Sequence, residues 1–164
     1  MLGFKGAIDR CGKVVALAEL QEISDAAYNI GTNVDVLRLE MEDDPIDFDF
    51  VTNDWNSKKG KFSSNTRAVE ARAARMRNWL RDQPQEHVVV VTHGGFVHYL
   101  TQNWSDFKPH LGSGWANAEF RSYQFVETSD SMSLEETAKS KMRRQGNDKK
   151  AVTEVGPLIS EKTA

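Results

Sequence analysis

Short apolar runs and one alternating segment predict the strands of this protein. "KVVAL", from Lys13 to Leu17, is an apolar run rich in β-branched residues between a glycine and a glutamate, which is typical of a buried strand. "VVVV", from Val88 to Val91, is apolar on both faces, as a strand covered by helices on each side must be. "AEFRSYQFV", from Ala118 to Val126, alternates well enough to predict a third strand.

Apolar residues at helical spacing predict three helices. Asn33 caps a short helix that ends near Glu40. The longest helix is predicted from Ser64 to Arg81, and Pro84 closes it. A third helix is predicted from Phe96 to Trp104. One stripe of the longest helix is apolar and consists of Val69, Ala73, Met76 and Leu80. Four arginines lie largely on its other faces: Arg67, Arg75, Arg77 and Arg81.

Two polar segments complete the predicted organisation. Between Glu40 and Asp54 there are seven acids and no base, which predicts a loop or an irregular lid. Residues 128–164 are polar and predict a mobile tail, with or without one helical stretch, after a single domain of residues 1–127. Strands and helices alternate within that domain, so the fold class is α/β with parallel pairing in its sheet.

The sequence "THGG" lies where the valine strand is predicted to end and the next helix to begin. Free backbone N–H groups and the positive end of a helix dipole meet at such a point, which favours an anion. Gly94 and Gly95 allow the main chain to come close to a ligand, and His93 places an imidazole beside it. These features indicate a phosphate-sized site, although a histidine at a strand end is as often a packed structural residue.

Three stretches together carry a resemblance to a known family. "VVVVTHGGFVHYL", "ALAELQEISD" and "GWANAEFRSYQF" resemble the histidine phosphatase superfamily, and within it the fungal-type phosphoglycerate mutase-like proteins. The resemblance covers most of the chain from Gly3 to Val126. It implies a three-layer fold, with helices on both faces of a mixed, mostly parallel sheet. It also implies phosphomonoester chemistry without a cofactor, on a small phosphorylated substrate.

The resemblance assigns roles to individual residues. His93 matches the family's second histidine, which holds the phosphoryl oxygens together with arginines, and Gly94 and Gly95 follow it as phosphate-binding candidates. Glu22, in "LQE", matches the acid that protonates the leaving oxygen, and Glu19 is the second candidate. The chemistry needs such groups, because phosphoryl transfer spreads negative charge over oxygens that donors stabilise. Without the resemblance, the sequence favours the interpretation of Glu22 as a surface glutamate that follows a strand.

One further segment matches the family after the second histidine. Asn117 and Ala118, in "GWANAEF", match a stretch that lines the edge of the pocket. The resemblance therefore implies that these two residues approach the site of His93.

The chain departs from the family's defining motif. An Arg-His-Gly after the first, central strand and a later Ser-Pro-Leu-x-Arg are both absent from the sequence. None of the four histidines, His87, His93, His98 and His110, follows an arginine. We therefore expect the fold to be truncated at its N-terminus, without the nucleophile, two phosphate-binding arginines and the central strand.

The departure leaves hypotheses of different classes open. The chain is an impaired phosphatase or mutase-like enzyme, or it is a non-catalytic remnant that binds a phosphorylated ligand or a protein partner. A metal hydrolase using His93, His98 and the acids of residues 40–54 is disfavoured. Histidines five apart point about 140° away from each other on a helix, so they do not chelate one ion easily.

Composition narrows the class of protein. The chain has 164 residues, a formal net charge of −3 and one cysteine, Cys11. This small net charge gives no electrostatic potential that would attract nucleic acid or a membrane surface. No run reaches the roughly 20 apolar residues of a membrane span. A single cysteine excludes an internal disulfide and fits a reducing compartment, so we expect a cytoplasmic protein. Exposed strand edges would allow self-association.

Overall fold

The computed structural model describes residues 5–104, 115–127 and 132–144. The chain forms two compact units, which divide between Trp115 and Ala116. The first unit contains two strands and four helices: α1 (Lys5–Cys11), β1 (Val14–Leu17), α2 (Val34–Glu40), β2 (Ile46–Phe50), α3 (Thr66–Arg81) and α4 (Gly94–Thr101). The second contains strands β3 (Tyr123–Glu127) and β4 (Met132–Glu136) and a helical segment over 138–144. Across the described ranges no helix has the length and apolarity that crossing a bilayer requires.

The first unit is built on a parallel pair of strands. β1 pairs with β2 in parallel, with Val14 opposite Ile46 and an irregularity between Val15 and Leu17. The predicted strand at Lys13–Leu17 is therefore confirmed, but β1 is only half buried rather than buried. The mixture of helices and strands, with a parallel strand pair, confirms the α/β fold class.

β2 corrects the prediction of a loop across the acidic segment. Its sequence, "IDFDF", alternates apolar and acidic residues, so that one face is apolar and the other carries charge. Phe48 is buried, whereas Asp47 forms an ion pair with Lys13. The prediction of a loop rested on the acidic composition of this segment. It overlooked the alternation of apolar and acidic residues, which is typical of a strand.

A small core lies against the parallel pair. Val34, Phe48 and Val51 are buried together. The side chain of Asn33 accepts a hydrogen bond from the Asp35 N–H at 2.8 Å, which caps α2 as predicted. Partly buried side chains complete this core: Ala16, Leu37, Met41, Ile46 and Trp55.

α3 and α4 pack against each other and form a second apolar region. Asn65 begins α3, because its side chain accepts from the Ala68 N–H at 2.9 Å. Arg77 donates to the carbonyl oxygens of Tyr99 and Leu100 at 2.9 and 3.2 Å, at the last turn of α4. Both predicted helices are confirmed, and their buried apolar residues are Val69, Ala73, Met76, Phe96, Val97 and Leu100.

Val88 to Val91 do not form the predicted strand. These residues belong to no strand or helix, and Val89 and Val91 are 70% and 71% exposed. No backbone hydrogen bond joins residues 84–92 to another part of the chain that the structure describes. A strand needs a neighbour for its N–H and C=O groups, so the prediction of a strand covered on both faces is wrong for this structure.

The second unit is an antiparallel hairpin followed by a helical segment. β3 pairs with β4, with Phe125 opposite Leu134. The predicted strand is confirmed only in its second half, because β3 begins at Tyr123 rather than at Ala118. Within the predicted tail, strand β4 was not expected, whereas the helical segment over 138–144 agrees with the optional helical stretch. Residues 128–131 and 145–164 lie outside the described residues.

Candidate active site

Two distant segments of the first unit meet beyond the carboxyl end of β1. A single 3₁₀ turn, Ala18–Leu20, follows β1 and packs against α3. Thr92, which precedes α4, donates its hydroxyl hydrogen bond to the carbonyl oxygen of Leu20 at 2.7 Å. This hydrogen bond joins two residues that are 72 positions apart in the sequence. It holds the segment that follows Leu20 close to the segment that follows Thr92.

Glu22 and His93 face each other at this junction. Glu22 Oε2 lies 3.9 Å from His93 Nδ1. The histidine side chain is 54% exposed, whereas that of the glutamate is 19% exposed. The two residues singled out from the sequence are therefore brought together, and a protonated His93 would form an ion pair with Glu22.

The first turn of α4 lies against the carboxylate of Glu22. α4 begins at Gly94, and His93 is its N-cap residue without a side-chain capping hydrogen bond. A Cβ atom on Gly95 would lie only 2.6 Å from Glu22 Oε1 and 3.0 Å from the side chain of Ile23. Glycine at position 95 thus allows the close approach of the Glu22 side chain. The sequence analysis had instead predicted that this glycine allows the approach of a ligand. The first N–H groups of α4 have no partner within the helix and are available to an anion.

Arg72 is a buried cation that the sequence-based prediction missed. It is 1% exposed, and its guanidinium carbon lies 4.6 Å from the centre of the Phe96 ring. Its three side-chain nitrogens have no hydrogen-bond partner among the described residues. Burial lowers the pKa of Arg72 to about 10, although Glu19 and Glu22 act to raise this pKa. The guanidinium therefore remains charged at neutral pH.

A signal for Arg72 was present in the sequence. It lies three residues after Val69 and four before Met76, inside the apolar stripe of α3, where an arginine is unexpected.

Lys58 adds a second cation close to Glu22. Its Nζ donates to the Glu22 carbonyl oxygen at 2.8 Å, and its backbone has a φ of 53°, in the left-handed region. Burial lowers the pKa of Lys58, and the positive charge of Arg72 lowers it further. Nothing in the surrounding "SKKGK" distinguished this lysine from its neighbours.

An exposed imidazole paired with a carboxylate, at a helix N-terminus and near two cations, suits a phosphorylated ligand. The family model of the histidine phosphatase superfamily (branch 1) matches residues 6–138. The chain belongs to the histidine phosphatase superfamily. Membership of this superfamily suggests phosphoryl transfer or hydrolysis. No match was found among curated proteins or among solved structures.

Two other candidate residues have partners outside the Glu22–His93 pair. Glu19, the second candidate for the acid, lies 3.9 Å from the Nε of Arg75. His98 is buried in α4, with its Nδ1 2.8 Å from the carbonyl oxygen of Asn103. Among residues 5–104, 115–127 and 132–144, no three His, Cys, Asp or Glu side chains are grouped to hold a metal ion.

The predicted pocket-edge residues fall in the second unit. Asn117 and Ala118 form an exposed turn before β3, and Ala118 has a φ of 59°. The Ala116 N–H donates to Glu119 Oε2 at 2.8 Å across this turn. The role of Asn117 and Ala118 at the edge of the pocket stays a prediction.

Proposed function

We propose that this histidine phosphatase binds a small phosphomonoester between His93 and the first turn of α4, for hydrolysis or transfer of its phosphoryl group. The observation that supports this proposal is the 3.9 Å separation between Glu22 Oε2 and His93 Nδ1. The pair lies beside backbone N–H groups of Gly94 and Gly95, which have no partner within α4.

Each group has a distinct role in the proposed chemistry. A protonated His93 and the N–H groups of Gly94 and Gly95 hold the phosphoryl oxygens and stabilise the charge that spreads over them. Glu22, when protonated, gives its proton to the departing oxygen of the substrate, a contribution typically worth ~10²–10⁴-fold in rate. None of these steps requires a cofactor.

We propose that turnover by the chain as printed is impaired. The sequence contains no Arg-His pair, and His98 faces Asn103 from the interior of α4. No residue is therefore assigned as the nucleophile that would attack phosphorus. The three-layer arrangement implied by the family is part of the same proposal.

A second candidate function is binding without catalysis, to a phosphorylated ligand or to a protein partner. It is favoured by the exposed valines at positions 89 and 91, immediately before the site. Because residues 84–92 make no backbone hydrogen bond to another described segment, their N–H and C=O groups offer an edge for pairing, including pairing with a second copy of the chain. For either function we propose a cytoplasmic location, on the basis of the single cysteine.

Titration with inorganic phosphate, followed by calorimetry, tests the proposed site. His93→Ala should weaken phosphate binding by at least about tenfold, because a hydrogen bond to a charged group contributes about 1.5–3 kcal/mol. His87→Ala is the matched control, since His87 is also exposed but lies before the valine run. Equal phosphate affinity in the His93→Ala variant and the unmodified chain would contradict the proposal.

A further inference from the structure

The burial of Arg72 calls for a negatively charged partner. Its side chain is 1% exposed, and none of its three nitrogens donates a hydrogen bond to a described residue. A charge withdrawn from water without hydrogen bonds is costly, and folded proteins normally pair such a group. The guanidinium carbon lies 4.6 Å from the centre of the Phe96 ring, which accepts no conventional hydrogen bond from the five N–H groups.

The nearest acids have other contacts. Glu22 Oε1 accepts from the Ile23 N–H at 2.6 Å, and Oε2 faces His93 at 3.9 Å. Glu19 faces Arg75 rather than forming an ion pair with Arg72. Lys58, which binds the Glu22 carbonyl oxygen, adds positive charge nearby. The cluster therefore contains a guanidinium with unused donors and a second cation.

We propose that Arg72 is a ligand-binding residue of this site, whose guanidinium receives the phosphate group of the substrate, with Lys58 as the second cation. This inference rests on the proposed function and adds a residue to it. Phe96 is the third residue of α4, so the ring beneath Arg72 belongs to the same turn as Gly94 and Gly95. The guanidinium and the free N–H groups of that turn can thus serve one oxyanion.

The geometry of the side chain favours phosphate. A guanidinium presents its donors in a rigid plane that matches two oxygens of a phosphate or a carboxylate. Its position on the 16-residue helix α3 and its contact with Phe96 hold that plane in place. The left-handed backbone of Lys58 is the kind of local strain that occurs at binding sites. A tetrahedral phosphate leaves further oxygens for His93 and the α4 amides, whereas a carboxylate does not.

A comparison of two neighbouring arginines on α3 tests this inference. Arg72→Lys keeps a positive charge but removes the planar pair of donors, and Arg75→Lys makes the same change at an exposed position. Calorimetric titration with inorganic phosphate should show at least about a tenfold loss of affinity for Arg72→Lys and little change for Arg75→Lys. In parallel, the ¹H–¹⁵N signal of the Arg72 Nε–H in the unmodified chain should shift during the titration, with the same midpoint.

The outcomes separate this inference from the proposed function. If Arg72→Lys binds phosphate as the unmodified chain does and the Nε–H signal does not move, Arg72 is not a ligand-binding residue, whatever His93→Ala shows. If Arg72→Lys loses affinity while His93→Ala retains it, Arg72 binds the anion and the role of His93 is wrong. If Arg72→Lys fails to fold, the Nε–H titration on the unmodified chain decides by itself. A shift caused by acetate but not by phosphate would overturn the assignment of phosphate.

Discussion

The carboxylate of Glu22 occupies the space in which a side chain at position 95 would begin. A Cβ atom on Gly95 would lie 2.6 Å from Glu22 Oε1, a separation that real Cβ atoms do not show. A side chain at position 95 would therefore force the Glu22 carboxylate out of its present place beside the first turn of α4. The relationship joins the two segments that supply the proposed general acid and the proposed phosphate-binding amides.

Gly95→Ala should displace Glu22 or the start of α4. We expect a loss of phosphate affinity of at least several-fold, because the amides and His93 would move relative to one another. Calorimetric titration measures the loss. Gly6→Ala is the control, since a Cβ there would only make ordinary contact with Arg10 in α1. Unchanged binding in Gly95→Ala would show that the Glu22–Gly95 contact does not position the site.

The chain as printed should hydrolyse a generic aryl phosphate no faster than its His93→Ala variant. The reason is the absence of an Arg-His pair in the sequence, which leaves no assigned nucleophile. Release of the phenolate is followed by absorbance at matched protein concentrations. A turnover that depends clearly on His93 would move the nucleophile role to that residue and would overturn the proposed impairment.

Self-association should proceed through the exposed valines. Val89→Lys should shift the sedimentation profile toward a monomer, because a lysine on an unpaired edge opposes pairing with a second chain. Leu39→Lys is matched to it, since Leu39 is also 70% exposed but lies on α2. If both substitutions have the same effect, or neither has any, association does not use the valine segment.

Acid should loosen the second unit through Glu136. Burial opposes the ionisation of this carboxyl, but hydrogen bonds from Arg144 and Ser140 outweigh it and lower the pKa below its usual value of 4.5. Since the folded-state pKa lies below the unfolded-state value, the stabilisation is complete above pH 4.5 and is lost as the pH falls through the folded-state pKa. Intrinsic amide exchange slows as the pH falls from about 6, so the test is the protection factor, the ratio of the intrinsic to the observed rate. Protection factors in β3 and β4 should decrease as the pH falls below 4.5.

Two glutamine variants make the Glu136 prediction specific. Glu136→Gln should loosen the hairpin already at pH 6 and should remove most of its dependence on pH. Glu135→Gln changes a neighbouring glutamate whose side chain is 56% exposed and lies 3.6 Å from the Lys141 Nζ, so it should leave the pH dependence in place. The same profile in both variants would assign the acid sensitivity to other groups.

Gly31→Ala should destabilise the first unit, because its Cβ would overlap the ring of Trp55. The ring is held in place by the hydrogen bond from Trp55 Nε1 to the Thr32 carbonyl oxygen at 3.1 Å. We expect the free energy of unfolding in urea to fall by about 1–3 kcal/mol. Most of this loss should disappear when Gly31→Ala is combined with Trp55→Phe, and additive effects in that cycle would show that the two positions are not in contact.

Local patterns in the sequence predicted helices α2, α3 and α4 of the first unit, whereas α1 was not predicted. α2 and α3 begin where Asn33 and Asn65 cap them, and α4 begins directly after "TH". A helix satisfies its backbone hydrogen bonds within four residues, so the information that predicts it lies within the segment itself. The sequence also indicated His93, Gly94 and Gly95 at a helix N-terminus, because that position depends only on where α4 starts.

Only the tertiary structure decided which predicted and unpredicted segments pair as strands, and which residues are neighbours in the site. β2 is a strand because β1 pairs with it. Val88 to Val91 are not a strand because no described segment pairs with them. The closeness of Glu22 to His93, the contact of the Glu22 carboxylate with Gly95 and the unpaired guanidinium of Arg72 arise in the same way. A strand or a site is completed by groups far away along the chain, and the pattern within one segment carries no record of which distant group will lie beside it.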